Sequence, residues 1–242
     1  MPGFYWVLLP VSVWFIYLLD HIVDGMKVRD KFFNEKYNFY FLHKKPLIAL
    51  LIIMMIFNSY LALQYISLQL LLFGIVLSLI VVLYFILHHF LQAFRFYFLQ
   101  KEFLIGLVYT AGIFGGPVVL TGQVNKIQII VMISYLLMVL ANIFSYSYFE
   151  YELDLKIRAK SVAVVYGDST ARKLEMIVLI ISCGLSLLLI FLYNLYIIGA
   201  LHLFVTLLLL VIVILPDKFK ENGLYGKLAD GLFILPGLIA FF

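Results

Sequence analysis

Leu203-Phe-Val-Thr-Leu-Leu-Leu-Leu-Val-Ile-Val-Ile-Leu215 carries apolar side chains on every face, whatever helical phase is chosen, and Leu47–Phe57 does the same. A helix at the surface of a soluble protein shows one apolar stripe and one polar face, so runs of this kind belong inside a large core or a bilayer. The whole chain settles which. Of 242 residues, 65% are hydrophobic and 12% charged, and the mean hydropathy is +1.11. Soluble domains average about 45–50% apolar and about 25% charged residues, so this chain lacks the polar surface to face water on all sides. Alternation with a period of two is absent, which excludes a transmembrane barrel. The reading is an all-α polytopic membrane protein.

Polar breaks divide the apolar sequence into eight expected spans, roughly 3–19, 46–65, 67–90, 103–121, 127–148, 174–193, 195–215 and 228–242. They form one transmembrane bundle, expected to surround a central cavity, and the whole chain, 1–242, reads as a single domain. The stretch Met1 to Leu19 has no basic leader and no small-residue cleavage site, and is read as a retained span. Gly106, Gly112, Gly115, Gly116 and Pro117 mark the fourth span for close packing, with a break expected near its end.

Charge orients the spans. If they alternate in direction, the segments 20–45, 91–102, 149–173 and 216–227 share one side and hold sixteen of the seventeen Lys and Arg residues, Lys126 being the exception. By the positive-inside rule that side is cytoplasmic, the inner membrane in a prokaryote. This asymmetry also explains a pI near 9 without nucleic acid as a partner. The thirteen acids fall on the same face or just inside it, Glu175 and Asp230 at expected helix starts. The lone Cys183 offers no disulfide or zinc framework.

Two acidic pairs stand out at inner ends of spans. Asp20-His-Ile-Val-Asp24 places two carboxylates one helical turn apart, and Glu150-Tyr-Glu-Leu-Asp154 repeats that spacing, with Glu152 pointing elsewhere. Like charges at this spacing repel, and a hard cation such as Mg²⁺ removes the conflict. The plain alternative is a pair of solvated helix ends. Lys156, Arg158 and Lys160 follow the second pair, Lys44 and Lys45 precede Pro46, and Tyr97 lies four residues before Lys101, near Arg95. Positive-inside loops hold such residues without any ligand as well. His88, His89 and His202 stand alone on apolar helices and read as packed or interfacial, while His21 and His43 flank the first acidic loop and could touch a phosphate.

In order and spacing, residues 16–170 resemble the UbiA-type family of membrane-embedded prenyltransferases, whose two aspartate-rich motifs approximate NDxxDxxxD and DxxxDxxxG. Asp20 and Asp24 match the last two acids of the first motif, and Glu150 and Asp154 match the second. Lys160-Ser161-x-x-Val164-x-x-Gly167 resembles the family's continuation after the second motif, Tyr97-x-x-x-Lys101 its middle segment, and Lys45-Pro46 the Arg-Pro that follows the first motif. The family's asparagines are replaced by Ile16 and Tyr146, its second-motif glycine by Arg158, and a common Arg by Glu102.

The resemblance implies a Mg²⁺-dependent transfer of an isoprenyl group from an isoprenyl diphosphate to a lipophilic acceptor within the membrane. Asp20, Asp24, Glu150 and Asp154 would hold the metal, Lys101 and Tyr97 would be catalytic, and Lys45, Arg95, Arg158 and Lys160 would bind the diphosphate. The replaced asparagines and Arg158 motivate an alternative, a lipid-binding or scaffold protein that keeps the fold without turnover. A transporter ranks third, because it would place ionisable groups near the midplane, where no acid is expected here.

Overall fold

The computed structural model describes residues 3–27, 35–90, 100–157 and 160–232. Every regular element among them is helical: α1 (Tyr5–Lys27), α2 (Glu35–Leu42), α3 (Lys44–Tyr65), α4 (Leu68–Phe90), α5 (Gln100–Thr121), α6 (Lys126–Phe149), α7 (Tyr151–Ile157), α8 (Val162–Tyr166), α9 (Asp168–Phe191), α10 (Tyr196–Ile214), α11 (Pro216–Lys220) and α12 (Leu224–Leu232), with a 3-10 turn at Glu221–Gly223. Seven of these, α1, α3, α4, α5, α6, α9 and α10, are long and apolar enough to cross a membrane. The eighth expected span begins inside α12 and continues into residues outside the described ones.

Three expectations are corrected. The first span does not stop at Leu19, because α1 runs to Lys27 and carries Asp20 and Asp24 in its last two turns. Charged residues near a span end do not break a helix whose backbone hydrogen bonds remain satisfied. The sixth span starts at Asp168 rather than 174, so Glu175 lies two turns inside α9 and is fully buried. The break expected near Pro117 is absent, since α5 continues to Thr121. A proline restricts the preceding residue by clashing with its Cβ, and Gly116 has none.

The described residues divide into two compact units. In the first, residues 3–90 with 111–122, α1 packs on α2 and α3. Its core joins Leu18 and Ile22 to Leu51 and Met54. Polar ties reinforce it: Asn58 Nδ2 donates to Ser12 Oγ at 2.9 Å, and the Tyr5 hydroxyl donates to the Gly112 carbonyl at 2.5 Å. Gly115 lets Phe73 pack directly on α5: a Cβ there would stand 2.2 Å from Phe73 Cζ and the ring would have to move. Ile53, Ile56, Leu63, Leu72 and Leu79 on α3 and α4 remain exposed, as lipid-facing side chains do.

In the second unit, residues 100–110 with 123–232, α9 packs against both α6 and α10, while α8 and α12 close on α6. Phe144, Met138, Leu179, Leu189 and Leu209 fill its interior. A polar seam runs among them. Ser182 Oγ lies 3.0 Å from Thr206 Oγ1, and His202 Nδ1 lies 2.9 Å from Ser134 Oγ, all four residues buried. His202 is therefore packed, as expected, and its ring nitrogen has a serine hydroxyl as partner. In a bilayer such hydrogen bonds hold helices together where apolar contact with a neighbour gains little over contact with lipid.

Candidate functional site

The second acidic pair is built by a controlled break. Helix α6 ends at Phe149, Glu150 adopts φ −93° and ψ 10°, and α7 starts at Tyr151. The break does not lose the helical turn, since Asp154 N still donates to the Glu150 carbonyl at 2.8 Å. The expected one-turn spacing of Glu150 and Asp154 is thus present. Glu150 is half-buried and Asp154 is buried. Glu152 points away, into a shallow cleft with Tyr148, Asp168, Asp217 and Lys220.

Helix α12 meets this corner. The Tyr225 hydroxyl donates to Glu150 Oε1 at 3.2 Å, and the Tyr225 ring stacks on Phe149 with centroids 4.3 Å apart. The Tyr146 hydroxyl on α6 donates in return to Asp230 Oδ2 on α12 at 2.7 Å. Burial, reinforced by the negative charge of Glu150, Asp154 and Asp230, pushes Tyr225 well above the usual phenol range, so it keeps the proton it donates. Asp230 is consequently a partner of α6 near the end of α12, not a helix start. Neither it nor Tyr225 was legible as a site residue, because the contacts join positions 75 and 84 residues apart.

The segment after α7 is held from below. Glu102, at the start of α5 and 4% exposed, accepts the Val162 N–H at 2.8 Å. Ser147 Oγ accepts the Ala163 N–H at 2.9 Å. These are the first amides of α8, which have no partner inside the helix, and an anionic acceptor suits that end. The acid that departs from the family's arginine therefore caps a helix, directly after Lys160 and Ser161. Lys160 is exposed and Ser161 is buried. Arg172, on the first turns of α9, lies over the Tyr148 ring at 5.8 Å.

The remaining expected residues are placed as follows. Asp20 and Asp24 are half-buried on α1, one turn apart, on the flank away from the Leu18–Ile22 stripe. His21 Nδ1 donates to the Tyr17 carbonyl at 2.9 Å, with its ring between Tyr17 and Tyr40. His43 makes the same bond to Phe39. Lys45 is exposed in the first turn of α3. Lys101 belongs to α5, but its side chain, like those of His88 and His89, lies outside the described residues, as do Arg95, Tyr97 and Arg158 entirely.

Among the described residues no set of three or more His, Cys, Asp or Glu side chains converges on a point that could hold a metal. The donor chemistry still fits Mg²⁺, which characteristically takes one or two carboxylates and completes its shell with water and substrate phosphate oxygens. Glu150 and Asp154 offer two such groups one turn apart, and Asp20 and Asp24 offer two more.

Seven helices long and apolar enough to span a bilayer define an integral membrane protein. The sequence profile of the UbiA prenyltransferase family matches residues 42–223, and the chain belongs to that family. The match covers Glu150, Asp154 and Lys160 and begins after Asp20 and Asp24. No curated protein and no solved structure gives a match to the chain.

Proposed function

We propose that this protein transfers an isoprenyl group from an isoprenyl diphosphate to a lipophilic acceptor in the membrane, with Mg²⁺ as cofactor. The observation that carries the reading is the Glu150–Asp154 pair, kept one turn apart across the α6–α7 break and followed by Lys160 beside the capped start of α8. Asp20 and Asp24 would be the first motif's pair. Bound Mg²⁺ would offset the charge that builds on the departing diphosphate. The chain's own cations, Lys45, Arg95, Lys101, Arg158 and Lys160, would bind the phosphates. Tyr97, with Lys101, would act beside the reacting end. Aromatic walls, at 17% Phe, Trp and Tyr in the chain, suit an allylic cation and would shelter it from water. The prenyl tail would lie between helices.

Purified protein in liposomes is expected to release inorganic diphosphate from a prenyl diphosphate, and to stop when EDTA removes the metal. Trials should cover several chain lengths and a set of lipophilic acceptors. Binding of the prenyl diphosphate without release would leave a lipid-binding protein of this fold. Neither binding nor release would end the enzyme reading.

The polar side is proposed to be cytoplasmic. With Cys183 replaced by Ser, cysteines placed at Lys36 and Lys218 should be labelled by an impermeant maleimide only from the cytoplasm, and one at Lys126 only from outside. A mixed pattern would break the alternating topology.

A further inference from the structure

Helix α12 touches the second acidic pair through a side chain that the family motifs do not include. We infer that Tyr225 is a positioning residue for Glu150, fixing that carboxylate for metal and diphosphate by hydrogen-bonding one of its oxygens. The inference rests on the proposed function, since it assigns Glu150 a ligand to orient for.

Three observations support the assignment. First, the bond is directional: the phenol donates to Oε1 at 3.2 Å while the ring is clamped on Phe149, at an interplanar angle of 12°. Glu150 is the residue at which α6 gives way to α7, and the Tyr225 hydroxyl reaches it at that junction. A carboxylate accepts about four hydrogen bonds, and the Tyr225 hydroxyl takes one of those places. Second, the clamp is itself held. Tyr146 reaches from α6 to Asp230 at 2.7 Å, so α12 and the end of α6, with its cap residue Glu150, each supply one phenol and one acid to the other. Third, α12 approaches α6 closely at Gly226, where a Cβ would stand 2.8 Å from the Tyr146 hydroxyl oxygen and would oblige that side chain to shift. Relieving that clash would pull Tyr146 off Asp230. Hydrogen-bonding partners of metal ligands commonly set affinity by factors of ten to a hundred, because they fix orientation and basicity.

The test uses Mn²⁺ as a paramagnetic stand-in, with inorganic diphosphate present, and reads free Mn²⁺ by electron paramagnetic resonance on the full chain in nanodiscs. Tyr225→Phe keeps the ring and its stack and removes only the hydroxyl. It is expected to raise the Mn²⁺ dissociation constant roughly tenfold, with little change in the metal-free melting temperature. Glu150→Gln should weaken binding at least as much, and the double variant Tyr225→Phe/Glu150→Gln should be no weaker than Glu150→Gln alone. That non-additivity separates orientation of Glu150 from a merely structural role. Asp230→Asn is the second variant, expected to shift affinity in the same direction by loosening α12, and it decides the matter if Tyr225→Phe folds poorly. Wild-type affinity in Tyr225→Phe, or additive losses in the double variant, would overturn the assignment while leaving the proposed function standing. A wild-type protein with no saturable Mn²⁺ site would overturn both.

Discussion

Asp154→Asn protein is expected to lose the thermal stabilisation that Mg²⁺ with a prenyl diphosphate confers on the wild type, and Asp20→Asn is expected to do the same. At ligand one hundredfold above its dissociation constant, binding stabilises by about 2.7 kcal/mol. For a chain of this size that corresponds to a melting-temperature rise of about 5–10 °C. Each substitution removes one negative ligand while preserving side-chain size. It also relieves repulsion between carboxylates one turn apart, so the ligand-free variants should melt level with the wild type or slightly above it. Differential scanning fluorimetry with and without ligand makes the measurement. If Asp154→Asn keeps the full stabilisation, the second acidic pair does not hold the metal; the same outcome in Asp20→Asn removes the first pair from the site.

The second large effect is structural and concerns Glu102. Glu102→Ala takes away the acceptor of the buried Val162 N–H and leaves that amide without a partner where water is scarce. Orphaning a buried donor costs about 1–3 kcal/mol, and charged acceptors lie at the upper end. Glu102→Gln retains a carbonyl acceptor and should lose less. Beyond the lower melting temperature, the start of α8 should loosen, so limited trypsin should cut between Lys160 and Ser161 faster in Glu102→Ala than in the wild type. Equal melting and equal cleavage would show that Glu102 is not the cap that matters. Because Lys160 adjoins this capped end, the alanine variant should also bind diphosphate more weakly.

Hydropathy made most of the architecture legible. Runs such as Leu203–Leu215 are apolar enough that their span boundaries, expected at 195 and 215, fall within a residue of α10. Where side chains turn polar the reading fails in a specific way. Asp20, His21 and Asp24 suggested a helix end, yet the backbone continues to Lys27 because hydropathy reports the solvent of side chains, not the hydrogen bonding of the main chain. Glu175 differs for the same reason: it is buried two turns inside α9, deeper than a helix start. The acidic spacing at 150 and 154 was legible because it is local, a matter of one turn. Tyr225, Asp230 and the capping role of Glu102 were not, since each depends on a partner tens of residues away and no short pattern announces it. Gly226 was the one available signal, and a glycine in a short polar segment reads first as a turn.

The seam of Ser134, Ser182, His202 and Thr206 has a consequence for how the second unit finds its arrangement. Leucine against leucine is nearly the same contact at every offset, so two apolar helices in lipid can slide like unmarked rods. A hydroxyl 3.0 Å from a hydroxyl and an imidazole nitrogen 2.9 Å from a serine are marks that coincide at one offset only. Displacing α10 by a single turn would separate both pairs by about 5.4 Å, and displacing α9 would separate the first, stranding polar atoms in hydrocarbon. The seam therefore acts as a vernier, selecting one alignment among many of similar apolar energy. That alignment carries through α9 to α6, whose far end presents Glu150.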